Sequence, residues 1–248
     1  MAIASTGSIS MSTIQTEFGG SNPISISEYY RSNTYENNVS GNNTGVPQSG
    51  TIKLSQFRGT VLARYITYKL LGAGGGGGYG VENGSGSGYA GSGGNSTLTF
   101  DSTTVTATGG SGGGNGDTYY TSDNTAGQNA DTSQGYSENF GTSGGSTPYN
   151  QNAAAGSGFA AGGSGGGGDQ PAQYDSSGNR GSGGTAGQEQ GGSSYVNVGV
   201  SMSYSLGSGG TGGQSFHDGA NGLGGYVKLI SNGSQVVATG TSGSYTVV

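Results

Sequence analysis

The sequence predicts a mostly irregular and β fold with little α-helix. A small α+β module spans residues 1–60. A glycine-rich domain of packed polyglycine-type helices, bracketed by short β-strands, spans 61–230, and a β tail spans 231–248. Three observations predict this. Of the 59 glycines, 49 lie between Gly72 and Gly225, in runs such as residues 74–78 and 165–168. Leu, Ile, Val and Phe make up only about 14% of the chain, too few for a large apolar core. Short apolar–polar alternations stand at both ends of the glycine region. A net charge of only -6, with 8% charged residues, argues against simple charge-driven disorder.

Residues 1–60 carry one pattern three times: Ile9-Ser-Met-Ser12, Ile24-Ser-Ile-Ser27 and Ile52-Lys-Leu-Ser55. Each alternation predicts a short half-buried strand. Each closing serine suits a helix N-terminus, and Ser12 with Gln15 fits the S-x-x-Q capping box. Three strand–cap–short-helix units are therefore expected. So few apolar side chains make a marginal fold alone, and docking onto another protein would supply more burial. That makes Ile9, Met11, Ile14, Phe18, Ile24, Ile26, Tyr29, Tyr30, Ile52, Leu54 and Phe57 the candidate residues of an attachment module. The plainer alternative is that they only fold that module. Residues 32–50, rich in Asn, Thr, Ser and Gly, read as an extended loop or arm.

In the body, residues 61–71 read as a strand with Leu62, Arg64, Ile66, Tyr68 and Leu70 on one face. Residues 96–100 and 103–107, around Asp101-Ser102, read as a tight hairpin. Residues 195–200 and 226–230 give two more strands, and 235–238 with 244–248 suggest a last pair. The glycine runs lack the triplet register and abundant proline of collagen. Extended segments with three residues per turn, packed side by side, would let each buried amide pair with a neighbour, and only glycine permits that approach.

The strand entering residues 74–78, the 97–107 hairpin before another glycine block, and the closing Gly219-Ala-Asn-Gly-Leu-Gly-Gly-Tyr-Val-Lys-Leu-Ile230 resemble the glycine-rich domain of bacteriophage tail-fibre proteins. Alternation of glycine motifs with aromatic, polar stretches is similar to the tip adhesins of T-even-like long tail fibres. The Ile-Ser-Met-Ser and Ile-Ser-Ile-Ser-Glu-Tyr-Tyr-Arg units resemble modules of marine and cyanobacterial phage structural proteins. The resemblance implies a sandwich of polyglycine helices with receptor-binding loops at its far end. It also implies a place on the virion exterior and attachment to a fibre shaft or baseplate. The receptor would be a host surface glycan or outer-membrane protein.

Loops on a rigid scaffold are where recognition concentrates, and Tyr, Asn and Asp suit it. Tyr119, Tyr120, Asp123, Asn124, Tyr136, Phe140, Tyr149, Asn150, Tyr174, Asp175, Phe216 and His217 are the candidate receptor-binding residues. Tyr79, Tyr89 and Phe159, inside glycine blocks, read instead as paving of the scaffold.

No enzyme is expected. Gly-x-Ser-x-Gly around Ser111, Ser143 and Ser164 is a product of composition and lacks a histidine partner. Residues 74–78 lack the Gly-Lys-Ser/Thr ending of a phosphate loop. A depolymerase using Asp123 with Asp131 or Glu138 is the weakest of the readings. No cofactor or metal is expected: cysteine is absent, one histidine is present, and Asp117, Asp123 and Asp131 do not fit an EF-hand. A sequence pI near 4.5 argues against nucleic acid. No apolar run long enough to span a bilayer or serve as a signal peptide is seen. The alternative function is a virion protein without a receptor: a head fibre, capsid decoration or tail accessory. A homotrimer and a monomer on a trimeric shaft are both compatible with the sequence.

Overall fold

In this computed structural model, residues 2–31, 35, 43–78, 90–113, 158, 184–214 and 218–248 are described. Alternation along residues 63–71 produces strand β1 (Ala63–Leu71), which turns Ile66 and Leu70 inward, fully buried. The hairpin β2 (Ser96–Phe100) and β3 (Thr103–Ala107) follows, joined by Asp101-Ser102 with Asp101 at φ 49. Then come β4 (Glu189–Asn197), β5 (Ser201–Ser205), β6 (Tyr226–Ser231), β7 (Ser234–Thr239) and β8 (Gly243–Thr246). They form two antiparallel four-stranded sheets, ordered β4-β1-β6-β7 and β3-β2-β5-β8.

The sheets share one core. Ile66, Leu70, Val196, Val227 and Leu229 come from the first sheet, and Leu98, Phe100, Ala107 and Met202 from the second, with Val247 just beyond β8. Side chains of this size hold two facing sheets about 10 Å apart, too far for backbone hydrogen bonds between them.

Past the strands that separation closes. Residues 72–78, 184–188 and 218–225 continue β1, β4 and β6, while 90–95, 108–113 and 206–214 continue β2, β3 and β5. Here backbone bonds run between the layers: Ala73 N to Gly94 O (3.0 Å), Gly76 N to Gly91 O (2.9 Å), Gly110 N to Ala73 O (2.8 Å) and Gly213 N to Gly77 O (2.9 Å). Others run within a layer, such as Gly74 N to Leu223 O (2.8 Å) and Gly75 N to Thr185 O (2.9 Å). Glycine is required because the backbones touch. A Cβ on Gly76 would collide with the Thr211 carbonyl, and one on Gly222 with the Gly74 carbonyl.

The expected domain of packed polyglycine-type helices is therefore corrected. The regular structure of the body is two antiparallel four-stranded sheets, with one α-helix among the described residues. The strands do not merely bracket a glycine domain; the glycine segments are their continuations. Composition registers the glycine runs but carries no trace of the non-local strand pairing that sets the sheets. Mostly β with little helix is the part that fits. The two short C-terminal strands lie close to where alternation places them, and they join different sheets: β7 pairs with β6 in the first and β8 with β5 in the second.

The N-terminal units differ from expectation in register. Helix α1 (Met11–Phe18) is capped by Ser10, whose Oγ accepts from Thr13 N at 3.2 Å, not by Ser12. Gln15 donates to the Gly20 carbonyl instead of closing a capping box. The other two units are single 3-10 turns. Ile26–Tyr29 is capped by Ser25, with Glu28 accepting from Ser25 N at 3.3 Å. Leu54–Phe57 follows Lys53, whose N–H donates to Gln56 Oε1 at 2.6 Å. In all three, the N-cap lies two residues before the expected serine. The second apolar residue of each repeat therefore lies inside a turn, and no strand precedes it.

These units build a second core of Ile3, Ile14, Phe18, Tyr29, Val46 and Phe57. Tyr29 and Phe57 meet edge-on at 6.4 Å. Part of the expected arm joins it: Val46 is fully buried, and the Asn43 amide exchanges two hydrogen bonds with the Val61 backbone (2.9 and 3.0 Å).

The close contacts predict a sharp contrast between two glycines. Gly76→Ala drives a Cβ into backbone that no rotamer change can relieve, and is expected to cost more than about 3 kcal/mol in urea unfolding. At Gly191 on β4 the new Cβ has only the Tyr68 carbonyl at 3.6 Å. Gly191→Ala is expected to stay within about 0.5 kcal/mol of the parent.

Candidate functional site

The chain order gives the body two distinct ends. Residue 78 leaves the glycine block and residue 90 returns to it; 113 leaves and 184 returns; 214 leaves and 218 returns. The hydrogen bonds place all three exits at one level: Gly113 N reaches Gly76 O, Gly213 N reaches Gly77 O, and Gly219 N reaches Gly213 O. That level is the end of the block remote from the sheets. All twelve candidate receptor-binding residues fall in the intervening stretches: Tyr119, Tyr120, Asp123, Asn124, Tyr136, Phe140, Tyr149, Asn150, Tyr174, Asp175, Phe216 and His217. They lie outside the described residues, as do Tyr79, Tyr89 and Phe159.

The N-terminal layer sits at the opposite end. Val198 N donates to Leu62 O at 2.8 Å, and Leu62 N donates to Glu17 Oε1 at 2.9 Å, so α1 is tied to the entry of β1. Of the candidate attachment residues, Ile14, Phe18, Tyr29 and Phe57 are buried, with Ile9, Met11, Ile26, Ile52 and Leu54 packed against them. Ile24 and Tyr30 are half-buried, the Tyr30 hydroxyl bonding to the Gly50 carbonyl. These side chains thus serve the layer's own core.

Between that layer and the first sheet lies a cleft of about 680 Å³, lined in part by Glu17, Tyr35, Arg64, Tyr65, Tyr195 and Asn232. Antiparallel register sets Tyr65 directly opposite Tyr195. Their rings meet edge-to-face with centroids 5.1 Å apart, yet stay 43% and 41% exposed. The Tyr65 hydroxyl donates to Ser193 Oγ at 2.7 Å.

Asn232 occupies the β6–β7 turn with Gly233, both at positive φ (46 and 82), the conformation that a two-residue hairpin turn favours. Its Oδ1 accepts from Tyr65 N at 3.0 Å, and its own N–H donates to Tyr65 O at 2.9 Å. Arg64 Nε donates to the Val248 carbonyl at 2.9 Å. None of these residues was a site candidate from sequence. Asn232-Gly233 between two alternating runs was a readable hairpin signal, but the Tyr65–Tyr195 pairing depends on a register set across more than a hundred residues.

The N-terminal core contains a buried titratable group, Tyr29. Burial pushes the Tyr29 phenol above its ordinary pKa of 10.0, with the nearby Glu28 and Tyr35 adding in the same direction. Its hydroxyl donates to the Gly19 carbonyl at 2.7 Å, a bond that also needs the proton. Among the described residues no group of three or more His, Cys, Asp or Glu side chains could hold a metal ion. No protein-family model, curated protein or solved structure matches the chain.

The Tyr29 shift fixes a pH dependence. The unfolded chain ionises this phenol first, so its contribution is complete below pH 10.0 and is lost as pH rises through the higher folded-state pKa. Urea midpoints measured from about pH 9 to about pH 11, roughly one unit either side of the ordinary phenol value, are expected to fall at the alkaline end. The fall should be shallower in Tyr29→Phe.

Proposed function

We propose that this chain is a bacteriophage virion structural protein, a tail-fibre tip adhesin on the virion exterior. It binds a fibre shaft or baseplate protein through its N-terminal layer. It binds a host surface glycan or outer-membrane protein through the stretches at residues 117–140, 147–150, 169–175 and 216–218. It acts by binding, with no chemical step.

One observation carries the reading: the body is polar in its construction. The N-terminal layer, the two sheets and the glycine block follow in that order, and the chain leaves and re-enters the block three times at its far face. A scaffold whose chain exits and returns at one end, and keeps a separate folded layer at the other, suits a molecule joining two partners. The block suits display for a further reason. Its bonds are between backbones, so they place no demand on which side chains the excursions carry.

The reading is tested by exchanging residues 117–140 and, separately, 169–175 for those of a related virion protein. Adsorption to host cells is expected to change, while the urea midpoint of the body stays within about 0.5 kcal/mol of the parent. Adsorption unchanged by both exchanges rejects the adhesin function. Labelling that places the chain on a capsid vertex or inside a tail favours a virion protein without a receptor.

A further inference from the structure

We propose that the cleft between the N-terminal layer and the first sheet is a saccharide-binding site, taking one or two pyranose units. It lies at the end opposite the excursions and rests on described residues alone, so it is independent of the adhesin reading. Four large apolar side chains are exposed among the described residues: Tyr65, Tyr195, Val236 and Val248. Val236 lies on the edge strand β7 and Val248 is the last residue, so neither forms a patch. The two tyrosines instead converge, each the other's register partner, on the wall of a cleft.

A pyranose has a face of C–H groups and a perimeter of hydroxyls, and it needs a matching pair of surfaces. The edge-to-face pair offers aromatic surface for the first. Arg64, Asn232 and Glu17 offer polar groups for the second. Arg64 spends Nε on Val248, and its two terminal nitrogens carry further donors. Asn232 uses Oδ1 on Tyr65 N, which fixes the amide and leaves two N–H donors. Glu17, 8% exposed and anchored through Leu62 N, adds a carboxylate to the polar lining of the cleft.

The mixture of signs decides the ligand class. A carboxylate beside one guanidinium, in a chain of net charge -6, disfavours an anion. Rings set at 63° form no parallel ridges of the kind that a proline-rich helix docks between. The volume of about 680 Å³ falls within the range of small-ligand sites.

The test titrates the full chain by calorimetry with maltotriose, mannotriose and the N-acetylglucosamine trimer, and with a proline-rich peptide as the competing class. At least one trisaccharide is expected to bind one-to-one. Tyr195→Ala should weaken it by about tenfold or more, a loss of ~1.4 kcal/mol. Tyr195→Phe, which keeps the ring, should bind like the parent, as should the chain exchanged at residues 117–140. Arg64→Met should also weaken binding, with the Tyr195→Phe protein as the folded reference. The proposal is overturned if no trisaccharide binds at millimolar concentration, if binding survives Tyr195→Ala, or if the peptide binds and the sugars do not.

Discussion

The structure depends on one constraint: in the glycine segments, carbonyls of one layer must lie within hydrogen-bonding distance of amides in the other. Where side chains fill the space between the sheets, each sheet satisfies its own backbone and the layers meet only through apolar contact. Where the chain runs on as glycine, the layers close until Gly76 N bonds Gly91 O and Gly210 N bonds Gly74 O. The donors of residues 72–77 turn in sequence to three neighbours: Gln188, Gly94 and Leu223, then Thr185, Gly91 and Ala220. A strand in a sheet alternates between two neighbours in one plane. A segment bonded on three sides has no free edge left to it, and a Cβ at Gly72, Gly75 or Gly76 would strike the backbone of a neighbour.

This arrangement trades entropy against satisfaction of the backbone. Ordering glycine costs more conformational freedom than ordering any other residue. The compensation is a dense set of short bonds, many between 2.7 and 2.9 Å, in a region whose buried apolar side chains are small, such as Ala73 and Ala220. Apolar burial is concentrated elsewhere, in the inter-sheet core and the N-terminal core, each of ten or fewer buried residues. One buried ion pair, Lys69 with Glu189 at 2.9 Å, lies where β1 and β4 run toward the block. A pair with exposures of 6% and 11% is held by geometry and offsets its own desolvation, so it does more for register than for net stability.

Local features of this fold were legible in the sequence, and relations between distant residues were not. The hairpin at Ser96–Phe100 and Thr103–Ala107 has the bounds that alternation around Asp101-Ser102 predicts. β1 and β6 also fall where periodicity places them. The serine-rich repeats announced helix starts but misplaced the cap, because Ser10 and Ser25 compete with Ser12 and Ser27 for the same role. Only burial of Ile14, Phe18 and Tyr29 selects between them. The sheet order, the parting of β7 from β8, and the meeting of Tyr65 with Tyr195 all come from pairings between residues far apart in the chain. Asn43 shows the same limit. Its neighbours read as a polar arm, yet its buried amide clamps Val61 where the N-terminal layer passes into β1.

The two ends of the molecule follow from the same chemistry. Backbone bonds are indifferent to side-chain identity as long as no side chain intrudes, so the block is held by contacts that only small residues can make. The cleft at the other end is made in the opposite way. Its tyrosines, arginine and asparagine are set by register, turn conformation and specific side-chain bonds, and a change at Asn232 would disturb the Tyr65 backbone directly. That end of the molecule is therefore tied to the pairing of β1 with β4 and β6, whereas the glycine block rests on backbone bonds alone.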